Sequence, residues 1–393
     1  MPHVLIIGGG FAGVWAAAGI KRIESDNPTH DPITVTLIAP TDDIVIRPRL
    51  YENHPENMRV PLDHILGPIN ASRIHATVTH ISPTTKSITF TNQDSTQSIL
   101  SYDKLILASG SQLNPPTLPG SEHLFNIDTL TSAASLNAHL HNLPHTHATH
   151  AGQYTVIVVG AGFTGLEIAT ELPSLLAPHP ARVILLERSA VLSPSLGAGP
   201  RPYIQSALTS LGVETRLNTS LASLSPEGAT LSSGEFIPSA TVIWTVGMHA
   251  SPLTSQINSP RDELGRLVVD TYLRVKGVED VYACGDTAAA PCEQGHTSMQ
   301  SCQHALPMGK VCGANVAREV LKLPLVEFKP EGYVTCLDLG AAGAVFAKGW
   351  DRRVELQGEE GKQVKGRINT RWIYPPIERG TLLEDAGEVG WPG

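Results

Sequence analysis

The residues best placed to do chemistry are two glycine-rich stretches of the same design. The spacing GxGxxG occurs at residues 8–13 and again at residues 160–165, each time between an apolar run and a run of helix formers. A loop of this kind lets a pyrophosphate approach the backbone, and the following helix offers unpaired N–H groups and the positive end of its dipole. Two copies predict two bound dinucleotides, and a structural glycine turn is the alternative for one of them. The glycines concerned are Gly8, Gly10, Gly13, Gly160, Gly162 and Gly165.

A carboxylate that binds the adenosine ribose is expected at the end of the second strand of each nucleotide fold. In the second fold this residue is Glu187, which favours NADH because it repels a 2′-phosphate. Arg188 beside it leaves NADPH open as an alternative. In the first fold the position holds Ala39, and Asp42, Asp43 or backbone groups are the possible substitutes.

Two further strands end in residues that suit a flavin site. The first is followed by Ala108, Ser109 and Gly110, whose small size admits a ligand to the crevice of a parallel sheet. The second delivers Gly285 and Asp286, which places a carboxylate beside the ribityl or pyrophosphate part of a flavin. Other candidate cofactor contacts in strands and loops are Arg47, Pro48, Val78 and Gly247.

The arginine at position 47 has two interpretations, a contact with a flavin or its diphosphate and a plain surface position.

A helix predicted from about residue 300 to 321 holds the candidate catalytic residues Gln303 and His304. It also holds Ala305, which is a candidate cofactor contact. If the N-terminus of this helix points at the flavin C2 carbonyl, its dipole stabilises the charge of a reduced flavin. Capping or packing is the alternative role for Gln303 and for His304.

Length and composition limit the classes of function. With 393 residues, of which 41% are hydrophobic and 17% charged, the chain fits two or three globular domains. The net charge of −9 argues against a nucleic-acid partner, and no apolar run approaches the roughly 18–20 residues of a membrane span. The first strand begins at residue 3 and leaves no room for a leader, so a cytoplasmic location is expected. The five cysteines form no CxxC pair, and we expect reduced thiols and no metal site.

A polar stretch over residues 112–150 is predicted to be a crossover and a solvated loop. Its histidines lack cysteine or acidic companions that would make a metal site, and Pro144 interrupts any helical face. These histidines are His139, His141, His145, His147 and His150.

The predicted fold is α/β, with two Rossmann-like dinucleotide-binding domains and a small C-terminal α+β domain. The NAD(P) domain is inserted in the FAD domain. The expected bounds are 1–115 and 251–322 for the FAD domain, 116–150 for the linker, 151–250 for the NAD(P)H domain and 323–393 for the C-terminal domain.

Taken together, these motifs resemble the flavoproteins with two dinucleotide-binding domains in the pyridine nucleotide-disulfide oxidoreductase superfamily. The resemblance is strongest to type II NADH dehydrogenases and to oxidoreductases of the apoptosis-inducing-factor type, and it covers residues 3 to about 320. It rests on the glycine loops with Phe11, Ala12, Phe163 and Thr164, and on the Trp244–Gly247, Tyr282–Asp286 and Gln303–Lys310 segments. The disulfide reductases of this superfamily have a redox cysteine pair near the flavin loop of the first domain or in the nucleotide domain. Neither region of this chain contains a cysteine, which argues against dithiol chemistry.

The resemblance implies three site roles. Asp286 would bind the ribityl–phosphate region of FAD, Glu167 would lie near the nicotinamide and the flavin, and Gln303 would line the acceptor side of the ring. Pro307 and Met308 stand where quinone-reducing members tend to have a glutamine pair, and the tail lacks their amphipathic C-terminal helices.

The leading hypothesis is an FAD-dependent NAD(P)H dehydrogenase, with NADH favoured, that reduces a quinone-like or other small-molecule acceptor. One alternative is an FAD-dependent oxidase or dehydrogenase that modifies an organic substrate in secondary metabolism. The other is a redox-sensing signalling protein of the apoptosis-inducing-factor type. A homodimer is possible under each hypothesis.

Overall fold

The structure is a computed structural model that describes residues 1–28, 30–114, 116–146, 149–330 and 332–388. Its first nucleotide fold begins with branched apolar residues that form a strand buried on both faces, followed by an alanine-rich helix. The elements up to residue 113 are β1 His3–Ile7, α1 Phe11–Asp26, β2 Thr34–Ala39, β3 Asp43–Val45, β4 Arg59–Pro61, α2 Leu62–Leu66, β5 Ser72–Ser82, β6 Ser87–Asn92, β7 Gln97–Ser101, β8 Lys104–Leu107 and β9 Ser111–Leu113.

The second nucleotide fold repeats the strand, glycine loop and helix. Its elements are β10 Leu124–Phe125, α3 Leu130–Thr146, β11 Thr155–Val159, α4 Phe163–Leu175, β12 Arg182–Leu186, α5 Arg201–Ser210, β13 Glu214–Arg216, β14 Leu221–Ser225, β15 Gly228–Leu231, β16 Phe236–Pro238, β17 Thr241–Trp244 and β18 Met248–Ala250. Five of these strands form a parallel sheet in the order β10-β17-β11-β12-β13.

The chain then returns to the first fold and ends in a small antiparallel unit. The remaining elements are β19 Leu267–Val268, β20 Val281–Ala283, β21 Ala288–Ala289, α6 Cys302–Val320, β22 Val334–Asp338, β23 Ala344–Lys348, β24 Arg353–Gln357, α7 Gly358–Arg367 and α8 Arg379–Asp385. Strand β20 completes a seven-stranded sheet in the order β20-β8-β1-β2-β5-β6-β7. The predicted α/β fold, with the second nucleotide fold inserted in the first, is therefore confirmed.

One local prediction was wrong. The stretch predicted as a solvated loop contains strand β10 and helix α3, and Pro144 lies inside the last turn of that helix. A proline near a helix end removes one hydrogen bond, which the packing of the helix outweighs. His147 lies outside the described residues. The last helix, α8, packs on α1 of the first fold.

The described part of the chain contains no helix with both the length and the apolar character needed to cross a bilayer.

Candidate functional site

The first glycine loop is closed at its outer glycines and open at the middle one. A Cβ added to Gly8 would lie 2.2 Å from the Ala108 carbonyl oxygen, and one added to Gly13 would lie 1.9 Å from the Gly8 carbonyl oxygen. A Cβ on Gly10 would meet no atom of the described residues within 4 Å. Helix α1 begins at the next residue, Phe11, so its first N–H groups border this open space. This is the shape that the approach of a pyrophosphate requires.

The second glycine loop has the same geometry. A Cβ on Gly165 would lie 1.8 Å from the Gly160 carbonyl oxygen, whereas a Cβ on Gly162 would meet no described atom within 4 Å. Helix α4 starts at Phe163, and Thr164 in its first turn is exposed. Because both loops lie at the carboxyl ends of parallel strands, each loop has the position and the open space that a dinucleotide cradle requires.

Polar groups beside the first cradle also suit a large ligand. The hydroxyl of Ser109 is buried and has no hydrogen-bond partner among the described residues, and a Cβ on Gly110 would meet open space. Asp286 accepts a hydrogen bond from Ser111 Oγ at 2.6 Å. Burial raises the pKa of Asp286, against the effects of the Ser111 hydrogen bond and the Arg47 charge. An acceptor carboxylate, a free hydroxyl and an open glycine loop fit the hydroxyls and phosphates of FAD.

The ribose end of the first cradle has a charged group in spite of Ala39. Asp42 Oδ1 lies 2.8 Å from Arg73 Nη1 and 2.7 Å from His75 Nδ1. These contacts fix a carboxylate three residues beyond the end of β2, where Asp42 was one of the predicted substitutes. Its role as a ribose ligand stays a prediction.

In the second fold, Glu187 connects the end of β12 to the glycine loop. Its Oε2 accepts a hydrogen bond from the Ala161 N–H at 3.1 Å, and its Oε1 accepts one from the Ser189 N–H at 2.8 Å. The Glu187 side chain is buried, whereas Arg188 is exposed. The carboxylate is therefore held in a fixed orientation, and its contact with a ribose stays a prediction. Gly247, at the far side of this fold, has φ +93° and its carbonyl accepts from the Asn114 N–H.

Two further candidate contacts of the first fold have protein partners. Arg47 lies in a short 3₁₀ turn with Pro48, and its guanidinium donates to Asp128 and to Ser111. Val78 is a buried core residue of β5 that is paired with Phe90 of β6.

The first turn of α6 contacts the C-terminal unit. The Gln303 amide oxygen accepts from the Val334 N–H at 3.0 Å, and the amide nitrogen donates to the Val334 carbonyl at 2.5 Å. The His304 ring is buried and stacks on Tyr333 with centroids 5.5 Å apart. Burial lowers the pKa of His304 to about 4, so the ring is neutral at neutral pH. Next to it, Ala305 is buried under the Gly285 turn. These contacts are of the kind expected if Gln303 and His304 have capping or packing roles. Their catalytic roles stay predictions.

Glu167 forms a fully buried ion pair at the junction of all three parts of the chain. Lys365 Nζ on α7 donates to Glu167 Oε1 on α4 at 2.7 Å, and both side chains are 5% exposed. The same Nζ lies 5.7 Å from the ring centre of Tyr51 in the first fold and 5.7 Å from that of Phe163 in the second. Burial raises the pKa of Glu167 to about 7, against the lowering effect of Lys365. Burial also acts to lower the pKa of Lys365, but Glu167 and other neighbours raise it above the ordinary value.

Sequence reasoning missed the partners of Glu167. Tyr51 donates to Asp338 Oδ2 at 2.9 Å, and the Asp338 N–H donates to Glu167 Oε1 at 3.2 Å. Lys365 is 198 residues from Glu167 and belongs to no motif. The one available signal was the spacing of Lys362 and Lys365, which places two cations on one face of a helix.

Among the described residues, the cysteines form no disulfide and the potential metal ligands form no metal site. All five cysteines are free thiols, and burial raises the pKa of Cys302 to about 11 and that of Cys336 to about 12. In the described ranges, no group of three His, Cys, Asp or Glu side chains could hold a metal ion.

Comparison with known proteins gives consistent matches over almost the whole chain. The family described as pyridine nucleotide-disulphide oxidoreductase matches residues 2–309. An NADH dehydrogenase-like protein of Mycobacterium tuberculosis is 44% identical over 397 aligned residues, covering 98% of each chain. A demethylphylloquinone reductase of Synechocystis is 27% identical, covering 88% of this chain and 86% of its own.

A solved structure shares the fold. The structure of NDH2 from Plasmodium falciparum in complex with NADH superposes with a TM-score of 0.81 at 14% identity, covering 98% of this chain and 97% of that one.

Proposed function

The chain belongs to the pyridine nucleotide-disulphide oxidoreductase family, and on this premise we propose that it is an FAD-dependent NADH dehydrogenase that reduces a quinone-like acceptor. The observation that supports this most is the convergence at Lys365. Its ammonium group lies 5.7 Å from rings of both nucleotide folds, Tyr51 in the first and Phe163 in the second. Phe163 directly follows the second glycine loop, so a junction that joins it to the first fold suits a reaction between the two ligands.

When bound, a flavin would supply the hydride acceptor and the redox chemistry that joins NADH to the second substrate. The protein supplies position and charge. Glycine loops bind the two pyrophosphates, Glu187 accepts from the NADH ribose, and Asp286 accepts from the flavin side chain. Pro307 and Met308 in α6 stand where related quinone reductases tend to have a glutamine pair.

Glu167 suits the proton balance of this reaction. Reduction of a quinone to a quinol by NADH consumes one proton in addition to the transferred hydride. A carboxyl group with a pKa near 7 is well matched to holding a proton at neutral pH. We assign this role to Glu167, with Lys365 as the cation that keeps its proton exchangeable.

The test is an anaerobic stopped-flow experiment on purified protein loaded with FAD. NADH is expected to bleach the flavin absorbance in one phase, and menadione is expected to restore it. NADPH is expected to bleach it far more slowly because of Glu187. A loaded protein that neither NADH nor NADPH bleaches would refute the proposal, as would oxygen consumption driven by an organic substrate in the absence of both.

A further inference from the structure

The only covalent connections between the two nucleotide folds in the described chain run through a two-stranded ribbon. Strand β9 leads out of the first fold and β18 leads back, and they pair antiparallel with Ser111 opposite Ala250 and Leu113 opposite Met248. A two-stranded ribbon twists readily and has little stability of its own. Domains joined in this way are expected to move relative to one another unless other contacts hold them.

One arginine side chain contacts both strands of this ribbon. Arg47 Nη1 donates to the backbone and to the hydroxyl of Ser111, each at 3.2 Å, and Nη2 lies 3.6 Å from the sulfur of Met248. Nε donates to the Asp128 carbonyl at 3.1 Å, and Nη2 forms an ion pair with the Asp128 carboxylate. All five N–H groups of the guanidinium therefore have a protein acceptor.

Asp128 connects the Arg47 guanidinium to the second fold. It lies just before α3 and is 11% exposed, and its Oδ2 accepts from the Leu113 N–H at 3.0 Å. Ser111 completes the chain of contacts, because its hydroxyl donates to Asp286 Oδ2 at 2.6 Å. A planar guanidinium with two-point contacts fixes orientation better than a flexible ammonium does.

We propose that Arg47 and Asp128 are positioning residues that fix the angle between the two nucleotide folds and orient the Asp286 carboxylate. The inference rests on the proposed function, since it assigns the contact a role in hydride transfer. Transfer requires the reacting atoms to approach to roughly 3–3.5 Å, and a misplacement of about 1 Å can cost on the order of 100-fold in rate. A loosened ribbon therefore slows flavin reduction even when both nucleotides remain bound.

The test compares Arg47→Met, Arg47→Lys, Asp128→Asn and the double variant with wild type, all loaded with FAD. Arg59→Met is the matched control, because Arg59 forms an ion pair with Asp43 on the β3–β4 hairpin and is half exposed. One readout is amide hydrogen exchange of residues 111–113 and 248–250 without NADH. The other is the rate of flavin reduction at saturating NADH, with its primary deuterium isotope effect.

We expect Arg47→Met and Asp128→Asn each to raise exchange in the ribbon and to slow flavin reduction by about tenfold or more. The double variant should be no slower than the slower single variant, because both substitutions remove the same contact. Arg47→Lys should lie between wild type and Arg47→Met. The control should match wild type in both readouts.

Unchanged ribbon exchange in Asp128→Asn would overturn the inference, as would a lower melting temperature with unchanged exchange and reduction rate. If Arg47→Met fails to fold, the other two single variants decide the question. Failure of the proposed function is a separate result, because wild-type flavin would then not be reduced, whereas the exchange data would still report on the ribbon.

Discussion

At the scale of single residues, the least expected feature is the ion pair of Glu167 and Lys365. Both side chains are 5% exposed, and a buried pair is costly to break because the remaining charge has no partner. The pKa of Glu167 rises on folding from its ordinary 4.5 to about 7. The folded state therefore binds this proton more tightly, and that contribution to stability is present below pH 4.5 and is lost as the pH rises through 7.

Replacing Lys365 by Met is expected to destabilise the protein more at high pH than at low pH. At pH 8 the buried Glu167 loses the cation that lowers its pKa, so it must stay charged without a partner or bind a proton that it does not hold in the unfolded chain. A loss of about 3–5 kcal/mol is expected. At pH 5.5 Glu167 is protonated in the folded state, so the loss should be smaller. Urea unfolding midpoints at the two pH values measure the difference.

Two variants serve as controls for this prediction. Glu167→Gln combined with Lys365→Met should recover most of the stability at pH 8, because neither member of the buried pair is then left charged without its partner. Lys348→Met removes an exposed lysine from β23 and should change little. An equal loss at pH 5.5 and pH 8 would show that Lys365 acts through packing and not through the Glu167 charge.

At the scale of elements, the two strand–loop–helix units act as separate cradles. Gly10 and Gly162 both have ordinary backbone angles, with φ −82° and −77°. Because a Cβ at either site meets open space, an alanine should be tolerated in folding and should project only toward the ligand.

We therefore expect Gly10→Ala to weaken FAD binding about tenfold or more, a cost of at least about 1.4 kcal/mol. Gly162→Ala should retain FAD and raise the KM for NADH by a similar factor. Fluorescence titration with FAD and steady-state kinetics measure the two effects. Gly366→Ala, in an exposed and open position on α7, is the control. FAD affinity in Gly10→Ala equal to that of the control would refute the assignment of the first cradle.

The sequence predicted these cradles because every determinant is local. The apolar run, the glycine spacing and the helix formers all fall within about twenty residues, and the structure has them in that order. Helix α3 was missed because Pro144 and the histidines around it suggested a loop. The signal that could have found it is the helical spacing of its buried residues, Ala133, Leu136, Leu140 and Leu143.

Contacts between distant segments could not be predicted in the same way. The Arg47–Asp128 and Glu167–Lys365 pairs join residues 81 and 198 positions apart. No pattern in either segment indicates its partner, because burial of a charge depends on which surfaces meet in the folded chain. The sequence therefore located the candidate site but not the charges that surround it.

At the scale of the whole molecule, the C-terminal unit closes the junction between the two nucleotide folds. Its residues Asp338 and Asn369 are buried and both contact the hydroxyl of Tyr51, which belongs to the first fold. Tyr51 also packs in the apolar core that contains helix α4 of the second fold. One side chain thus contributes to all three parts of the chain.

Tyr51→Phe removes only the hydroxyl and should cost about 1–3 kcal/mol, because the buried Asp338 Oδ2 loses its hydrogen bond and cannot reach water. The loss should appear in the urea unfolding midpoint and in faster proteolysis of the C-terminal unit, since that unit is held partly by this contact. Tyr203→Phe on α5, where the side chain is 36% exposed, is the control and should be neutral. If both variants unfold at the wild-type midpoint, the Tyr51 hydroxyl does not stabilise the junction, and the apolar core alone holds the three parts together.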